Sequence, residues 1–514
     1  MKIKITFWRV IALLILLAGL YATFLRFTRG LGAVTNLSDQ FPWGLWIGFD
    51  VLVGVGLAAG GFTIAAIVHI FNIETYESIS RPTLLTAFLG YLLVATAIMF
   101  DIGQPHRIWH PIIMWNPHSV MFEVAWCVTL YLTVLALEFS PIVFEKFNLN
   151  VPLKVMRTIY LPLVILGVLL SMLHQSSLGT VYVIVPDKLY GLWYSPMLPI
   201  FFFISAISVG LAMTIFESFL SYRAFGKRLE LNILVGLARV LVVILAVYLI
   251  LKFQDLRLRG NLPLVFQLTE ESVLFWGEIG LGVFLPMILL FIPQVRVKRA
   301  GLFFSALLVI MGFILNRLNV SITGMLHNET YFPKWTEVAI TLSFVTVGFI
   351  VFALAVKYLD IFPTEEIDPH NPPPLEQIGL SGRVILGMWG VVLAGFIIYG
   401  LAKDNRLEHP VEAAAIERKT DPLRELEFTN LPADIVYDKS DMGTVTFSHE
   451  THLLLVDNPQ CQPCHPKLYD YNITPKQQTP LVGDVMHESQ SCGHCHNGTM
   501  AFSIEEECTL CHVE

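Results

Sequence analysis

Long apolar runs, separated by short polar stretches, fill most of the chain between Ile5 and Leu401. A helix needs about 20 consecutive apolar residues to cross the hydrocarbon core of a bilayer. The pattern predicts eleven such helices: Ile5–Phe27, Gly44–Phe71, Leu84–Phe100, Val120–Phe139, Val155–His174, Leu198–Phe219, Ile233–Phe253, Val273–Ile292, Leu302–Leu315, Val338–Leu359 and Val384–Leu401. The run from Leu302 is short for a full crossing, and the run from Gly44 is long enough to tilt in the membrane.

The first apolar run follows basic residues, and a cleaved signal peptide has the same kind of start. We interpret the run as a retained anchor because it continues beyond the usual length and lacks a small-residue cleavage site. Basic loop residues mark the cytoplasmic side of a membrane protein. With eleven crossings, three basic clusters share one side: Lys2 with Lys4, Arg223 with Lys227 and Arg228, and Arg296 with Lys298 and Arg299. That side is predicted to be cytoplasmic, and the odd number of crossings places the C-terminal region in the periplasm.

Composition supports a membrane protein with a separate polar segment. Hydrophobic residues make up 55% and charged residues 14% of the 514 residues, whereas soluble proteins contain about 25% charged residues. These values exclude disordered, collagen-like, coiled-coil and nucleic-acid-binding classes. The formal charge is −11 over residues 403–514 and +3 over the rest, and six of the seven cysteines lie between Cys461 and Cys511. The sequence therefore predicts two differently built parts.

Three C-x-x-C-H motifs occupy the polar segment. They are Cys461, Cys464 and His465; Cys492, Cys495 and His496; and Cys508, Cys511 and His512. In this motif the two thiols form thioethers with the haem vinyl groups, and the adjacent histidine binds the iron. Zinc sites and disulfides are the alternatives, but neither explains why a histidine follows each cysteine pair. The motifs predict three covalently bound c-type haems, with the motif histidines as proximal ligands.

The sixth ligand of each iron has several candidates in the same segment. Three histidines remain once the distant His409 and the constrained His494 are set aside: His449, His452 and His487. Three methionines compete with them: Met442, Met486 and Met500. The close pair of histidines before the first motif favours bis-histidine coordination.

The stretch from Val445 to His512 resembles the small class III multihaem cytochromes c in their triheme form. The resemblance implies three distal–proximal pairs: His449 with His465, His452 with His496, and His487 with His512. About 70 residues cannot bury a large side-chain core. The packed haems are therefore expected to form the core of this domain.

Ionisable side chains inside membrane helices are costly to bury, and they commonly mark functional sites. Six stand within or beside the apolar runs: Asp50, Asp101, Glu123, His174, Glu217 and Arg317. We expect His174, Glu217 and Arg317 near the ends of their helices. Each residue alone could be an ordinary interfacial or paired residue that fixes helix packing. Together they favour a polar site in the bundle, such as a quinone site, because quinone carbonyls need hydrogen-bond donors and protons.

Four stretches resemble the NrfD/PsrC family, and its HybB branch in particular: Trp43–Asp50, His110–Ser119, His174–Gly179 and Asn316–Ser321. The resemblance covers roughly the first 360 residues. It implies a helix bundle without cofactors that exchanges electrons with the quinone pool and docks a periplasmic, ferredoxin-like iron–sulfur subunit. Our candidates for the quinone and proton site are Asp50, Asp101, Arg107, His110, Glu123 and His174. HybB-like proteins end where this chain continues.

A b-type haem in the bundle is the less favoured alternative. It needs two facing histidines, from different helices, at the same membrane depth. Only His69 and His174 lie within or at the edge of well-defined apolar runs, and the predicted topology directs them to opposite membrane faces.

The predicted fold class is an all-α polytopic membrane bundle, with a small, loop-rich multihaem cytochrome c domain at the C-terminus. The predicted domains are a bundle over residues 1–359, a Pro-rich cytoplasmic linker over 360–381, a further membrane helix over 382–402, a periplasmic linker over 403–444 and the triheme domain over 445–514.

The predicted function is a quinone-interacting subunit of a respiratory oxidoreductase in the bacterial inner membrane. It would relay electrons, in either direction, between menaquinone or another quinone and periplasmic partners. Expected partners are the iron–sulfur subunit, a hydrogenase or other catalytic subunit, a soluble cytochrome c with a basic face, and lipid, but no nucleic acid. The alternatives are a membrane anchor without its own quinone site and a proton-translocating module.

We expect the C-terminal domain to be unfolded when it lacks haem, because its core is predicted to consist of the macrocycles. Circular dichroism of residues 445–514, produced without haem attachment, should show no cooperative thermal transition. A cooperative transition in that haem-free sample would contradict the prediction, and the haem-loaded sample is the control.

Overall fold

The computed structural model describes residues 7–362, apart from 39–40, 187, 227–228 and 326–330, and the backbone of three short C-terminal strands. Ten helices in these residues are long and apolar enough to cross a membrane. They are α1 Phe7–Arg29, α2 Trp46–Ile70, α3 Glu74–Asp101, α4 Val120–Lys146, α5 Asn150–Val183, α6 Leu198–Phe225, α7 Leu231–Leu258, α8 Glu270–Phe291, α9 Arg299–Met325 and α10 Trp335–Tyr358. These helices confirm ten of the eleven predicted crossings.

Several predictions fall on residues that the structure does not describe. They are the eleventh crossing at Val384–Leu401, most of the Pro-rich linker, the periplasmic linker, His327, and the side chains of the haem motifs and of their distal ligand candidates. The undescribed motif side chains include the six predicted thioether cysteines: Cys461, Cys464, Cys492, Cys495, Cys508 and Cys511.

The helices pack mainly on their neighbours in sequence, because short connections force consecutive helices to run antiparallel. Contacts join α4 with α5, α5 with α6, α6 with both α7 and α9, and α8 with α9, while α1 pairs with α10. The apolar windows of α2 and α6 are 72% and 67% buried, against 17% for α1 and α10. The bundle is therefore centred on α2 and α6, and α1 and α10 lie at its edge.

Two of the membrane helices are irregular. Trp46–Val53 and Ala66–Ile70 in α2, and Gly277–Phe284 in α8, are π-helical. A π-turn inserts an extra residue into the helix and is often found at functional sites. Two buried acidic residues, Asp50 and Glu278, lie within these segments.

The remaining elements are short. Helical turns are found at Leu31–Val34, Pro105–Arg107, His110–Ile113, Leu262–Phe266 and Pro293–Arg296. In the C-terminal region, the strands β1 Ile435–Tyr437, β2 Thr444–Phe447 and β3 His512–Val513 form an antiparallel sheet in the order β1-β2-β3. Val445 pairs with Tyr437 on one side and with His512 on the other.

His174, which the sequence pattern placed at the end of a crossing, lies inside its helix, so that position was wrong; Glu217 and Arg317 lie about two turns and one turn before their helix ends. His174 lies within Asn150–Val183, Glu217 within Leu198–Phe225 and Arg317 within Arg299–Ser321. A hydropathy window ends at a polar side chain. The helix does not, because its backbone hydrogen bonds are independent of side-chain polarity, and all three residues are buried against other helices.

Helices α8 and α9 cross at two glycines with no room for a side chain. A Cβ atom on Gly282 would lie 2.3 Å from the Cα of Gly312, and a Cβ on Gly312 would lie 2.2 Å from the Cα of Gly282. Close backbone approach at small residues is a common way for membrane helices to associate. This contact fixes α9, which carries Asn316 and Arg317, against α8.

We predict that Gly282→Ala lowers the unfolding temperature in detergent, because the new methyl group must push the two backbones apart. Overpacking of this kind costs about 1–3 kcal/mol. Gly280→Ala is the matched control two residues away, since its Cβ would meet only Trp276, at 3.7 Å. Thermal unfolding followed by circular dichroism compares the two variants, and equal unfolding temperatures would refute the close crossing.

Candidate functional site

The buried polar side chains in the bundle include three groups with acidic residues or histidine from the π-helical segments, the end of α3 and α5. The carboxylate pocket consists of Asp50 and Asp101 with Arg26 and Thr341 around them. The histidine pocket consists of His174, Tyr91, Tyr131 and Ser171. The Glu278 network consists of Glu278, Trp193, Asn316, Arg317 and Asn319.

In the carboxylate pocket, Asp50 is supplied by the π-helical part of α2 and is 8% exposed. Its Oδ2 accepts a hydrogen bond of 2.6 Å from the hydroxyl of Thr341 on α10. The segment lies very close to α9, since a Cβ on Gly48 would be 2.3 Å from the Oγ of Ser321. The glycine therefore allows the backbone around Asp50 to sit deep among the neighbouring helices.

Asp101 is the last residue of α3, where the helix leaves its final carbonyl groups without intrahelical partners. Arg26 from α1 supplies hydrogen-bond donors for these carbonyl groups. Its Nε donates to the carbonyl of Phe100 and its Nη2 to that of Ile102, both at 2.7 Å. Arg26 is only 2% exposed. The buried Oδ1 of Asp101 has no hydrogen-bond partner among the described residues. This oxygen is therefore available to a ligand or a proton.

A further carboxylate, that of Glu337 in the first turn of α10, lies beside this pocket together with Tyr331 from the preceding loop. Tyr331 donates its hydroxyl hydrogen to Glu337 and accepts a bond from the backbone N–H of Leu45. Burial, followed by the nearby Glu337 carboxylate, raises the pKa of Tyr331 far above its ordinary value, and Asp101 contributes in the same direction. Tyr331 therefore stays protonated and holds Glu337 as a hydrogen-bond acceptor. Because the charge of Asp101 also acts on Tyr331, Asp101 lies near this pair.

The histidine pocket lies inside the bundle between α3, α4 and α5. His174 is fully buried, and neither of its ring nitrogens has a hydrogen-bond partner among the described residues. Its ring centroid is 5.7 Å from that of Tyr91, which in turn contacts Tyr131 edge to face at 4.5 Å. Gln175, the next residue, donates to the carbonyl of Val55 on α2 at 3.2 Å. A buried imidazole without partners is costly and so favours a functional role.

The Glu278 network is fully hydrogen-bonded, in contrast to the two pockets. Glu278 is 1% exposed, and its carboxylate accepts bonds from Asn316 at 2.7 Å, Asn319 at 3.0 Å and the Trp193 indole at 2.9 Å. Asn316 and Asn319 lie about one turn apart on α9, and Trp193 lies in the loop before α6. The carboxylate therefore ties α8, α9 and the loop before α6 together, and we assign it a structural role.

Arg317 extends this network towards α6. Its guanidinium donates to Asn316, and to Ser205 at 2.8 Å, and lies 3.6 Å from the ring centroid of Phe202. A guanidinium on an aromatic face gains cation–π stabilisation, which grows when water is excluded. Its charge is thus balanced by a nearby carboxylate and an aromatic ring.

The remaining candidates lie elsewhere. Arg107 and Glu123 are exposed and His110 is half-buried, and among the described residues no hydrogen bond or ion pair joins these three to Asp50 or Asp101. Glu217 is 7% exposed, and neither of its carboxylate oxygens has a hydrogen-bond partner among the described residues. Thr86 is a polar neighbour of the Glu217 carboxylate.

The positions of His69 and His174 do not fit a bis-histidine b-type haem. The ring of His69 contacts Tyr160 at 5.2 Å. Tyr160 and His174 lie on the same helix α5, and at 1.5 Å per residue their separation along its axis is about 20 Å. Two histidines that bind one iron must lie at the same depth, so His69 and His174 cannot share a haem.

Sequence reasoning missed several residues of these groups, and it also missed the buried Glu138 outside them. Glu138 and Glu278 are single acids in apolar runs, and a systematic search for such acids would have found them. Arg26 looked like an ordinary basic residue at a helix end. Thr341 carried no signal, because threonine is common in membrane helices and only the fold places its hydroxyl against Asp50.

Comparison with protein families matches two parts of the chain. The model for polysulphide reductase NrfD matches residues 33–328. The model for cytochrome c7 and related cytochromes c matches residues 445–513. The chain is therefore a haem protein.

Individual relatives match the bundle rather than the whole chain. The chain is 35% identical to the probable Ni/Fe-hydrogenase 2 b-type cytochrome subunit of Escherichia coli, over 67% of this chain and 90% of that protein. It is 30% identical to the menaquinone reductase integral membrane subunit of Nitratidesulfovibrio vulgaris, over 68% of this chain and 89% of the relative. The Hdr-like menaquinol oxidoreductase integral membrane subunit of Archaeoglobus fulgidus is 23% identical, over 70% and 95% respectively.

We predict that Glu278→Leu strongly destabilises the bundle, because it leaves three buried N–H donors without their acceptor and the Arg317 cation without its nearby carboxylate. Breaking a buried charged network by removing one member costs about 3–5 kcal/mol. The matched control is Glu123→Leu, which removes an exposed carboxylate. Unfolding temperature and yield of monodisperse protein measure the effect. If Glu278→Leu matched the control, the proposed structural role would be wrong.

Proposed function

The chain belongs to the polysulphide reductase NrfD family, and we propose that it is the membrane subunit of a quinone-linked oxidoreductase. Its bundle would bind a quinone, and its three c-type haems would connect the quinone pool with periplasmic redox partners. The match to a menaquinone reductase membrane subunit supports menaquinone as the substrate. The two family matches lie on one chain, which supports electron transfer between its two parts.

The carboxylate pocket is the proposed site of the quinone headgroup, and its geometry is the observation that carries the proposal. Oxidation of a quinol releases two protons and two electrons. Asp50 and Asp101 come from different helices and are electrostatically coupled, and Asp101 offers an oxygen without a partner among the described residues. Each carboxylate can accept one proton from a quinol hydroxyl, or return it when the quinone is reduced. General acid–base groups must lie within hydrogen-bond reach of the reacting atom.

His174 is proposed as a further proton-transfer residue, deeper in the bundle than the two carboxylates. Its unpartnered nitrogens can accept or donate a proton, and Gln175 holds this part of α5 to the backbone of α2, the helix that carries Asp50. The resemblance of His174–Gly179 to a family motif adds to this assignment. Arg107, His110 and Glu123 lie outside the carboxylate pocket, so we give them no part in proton transfer.

The haems are proposed to be held through thioethers by the paired motif cysteines: Cys461 with Cys464, Cys492 with Cys495, and Cys508 with Cys511. The proposed proximal ligands are His465, His496 and His512, and the proposed distal ligands are His449, His452 and His487. When bound, each haem takes up and releases one electron. The cytochrome c7 match spans all of these residues, and the pairing of Val445 with His512 brings the two ends of that match together.

The location and partners follow from the same proposal. The basic clusters and the eleven predicted crossings favour a haem domain in the periplasm of a bacterial inner membrane. A ferredoxin-like iron–sulfur subunit and a hydrogenase or other catalytic subunit are the proposed partners in a complex. The acidic charge of residues 403–514 favours a soluble cytochrome partner with a basic face.

A proton-translocating module is the second candidate function. Glu217 is buried in α6 without a hydrogen-bond partner among the described residues, and Glu138 is 5% exposed in α4. Both lie on the side of the bundle that the basic clusters mark as cytoplasmic. Acidic residues at such depth are common in proton relays. Proton uptake in sealed vesicles beyond the quinone stoichiometry would support this function.

We predict that Asp101→Asn and His174→Ala each slow quinol-driven haem reduction by at least about 100-fold, the usual contribution of a general acid–base group. The assay mixes a menaquinol analogue with the purified complex and follows the haem absorbance. Glu123→Gln is the control and should retain the wild-type rate.

Two results would contradict this proposal. Wild-type rates in Asp101→Asn would remove the carboxylate pocket from the reaction. Haems in the wild-type complex that quinol never reduces, and that never reduce quinone, would leave the bundle as a membrane anchor.

A further inference from the structure

We propose that Thr341 and Arg26, which lie outside the residues matched by the family model, are positioning residues that set the pH range over which the carboxylate pocket accepts protons. The family match covers residues 33–328, whereas Arg26 lies on α1 and Thr341 on α10. This inference rests on the proposed function, because it assigns the pocket a proton-accepting role. It adds that α1 and α10, the two helices at the edge of the bundle, control that role together with the part of the chain that the family model matches.

The hydrogen bond of Thr341 differs from those of most other threonines in the bundle, although Thr336 also bonds outside its own helix, to the carbonyl of Val34. Within a helix, a threonine hydroxyl usually donates to the carbonyl four residues earlier. Thr346 does so on the same helix, with a bond of 2.8 Å to Leu342, and Thr129 does so on α4, with a bond of 2.8 Å to Ala125. Thr341 instead donates to the Asp50 carboxylate at 2.6 Å. Its donor is thus used to stabilise a charged oxygen.

Arg26 acts on the other carboxylate. Its Nε and Nη2 are committed to the carbonyls of Phe100 and Ile102, on either side of Asp101 in sequence. These bonds fix a buried positive charge next to Asp101 while leaving the Asp101 Oδ1 open. The cation therefore favours the ionised carboxylate without blocking the oxygen that must receive a proton.

The edge helices are held together as one unit, so both residues are fixed in place. Ser343 on α10 donates to the carbonyl of Ile15 on α1 at 3.0 Å, at the point where Gly19 allows close approach. The Lys334 ammonium donates to the carbonyl of Ala33 at 2.9 Å, and Glu337 accepts from the backbone N–H of Asn36 at 3.0 Å. A pair of helices bound in this way is a rigid wall for the pocket.

Four charged or titratable groups act on Asp101 from the elements packed around the pocket: Arg26 on α1, Tyr182 on α5, Tyr331 in the loop before α10 and Glu337 on α10. Arg26 is the cation of this set. The acidic neighbours disfavour the ionised form of the two carboxylates, whereas the Thr341 donor and the Arg26 charge stabilise it. Loss of either Thr341 or Arg26 therefore leaves the ionised form less stable.

The test is the pH profile of quinol-driven haem reduction in the purified complex. Proton acceptance requires ionised carboxylates, so the rate falls at low pH. Thr341→Val keeps the side-chain shape but removes the donor, and the midpoint of the acid limb should move upward by about 1–2 pH units, as expected for one lost hydrogen bond to a charged group. Arg26→Gln should move the midpoint in the same direction. Thr341→Ser should restore it.

Thr346→Val is the matched control, since it removes a threonine hydroxyl from the same helix without touching the pocket. It should leave the profile unchanged. A Thr341→Val profile that superimposes on the wild type, in a protein with an unchanged unfolding temperature, would overturn the proposal. If Thr341→Val does not fold, Thr341→Ala provides the same comparison.

Failure of the proposed function is distinguishable from failure of this inference. If quinol does not reduce the haems of the wild-type complex at any pH, the proposed function fails. Infrared difference spectra of the carboxyl groups, recorded during a pH titration of the same variants, then still test Thr341. A carboxyl band that titrates at higher pH in Thr341→Val than in the wild type supports the inference, and an unshifted band refutes it.

Discussion

The cost of placing charge in an apolar bundle is the constraint on which this protein depends. Isolated ionised groups in hydrocarbon lose the hydration that stabilises them in water. Glu278 meets that cost with three hydrogen bonds, two from α9 and one from the loop before α6. Asp101 and His174 do not, because each keeps polar atoms without partners among the described residues. The difference separates residues that hold the bundle together from residues that are available to a substrate.

The same constraint explains which parts of the site the edge helices provide. Helix α1 supplies Arg26 to the free carbonyls at the end of α3, and α10 supplies Thr341 to Asp50. Both contacts place a donor or a cation beside a carboxylate from the part of the chain that the family model matches. The pocket is therefore assembled from several helices distant in sequence. A substitution at the edge of the bundle can consequently alter proton chemistry at its interior.

Hydropathy was sufficient to predict the ten helices that the structure describes, because the membrane imposes one length and one polarity on every crossing. It could not predict how far helices continue past polar side chains, as His174 and Arg317 show. It also could not separate exposed from buried candidates. Glu123 was a candidate for the quinone and proton site as much as Asp101 was, yet Glu123 is exposed, since the radial position of a residue depends on helix packing. The C-x-x-C-H motifs, by contrast, predicted haem from spacing alone, and the cytochrome c7 match agrees.

The central claim is that a quinone headgroup binds between Asp50 and Asp101, and photoaffinity labelling tests it most directly. A menaquinone analogue with a photoreactive group on its ring would be cross-linked to the purified complex, and the labelled peptides identified by mass spectrometry. Labels should fall on residues around Asp50, Asp101 and Thr341, and excess menaquinone should suppress them. Labels confined to the lipid-facing surface, or labels that menaquinone does not suppress, would contradict the claim.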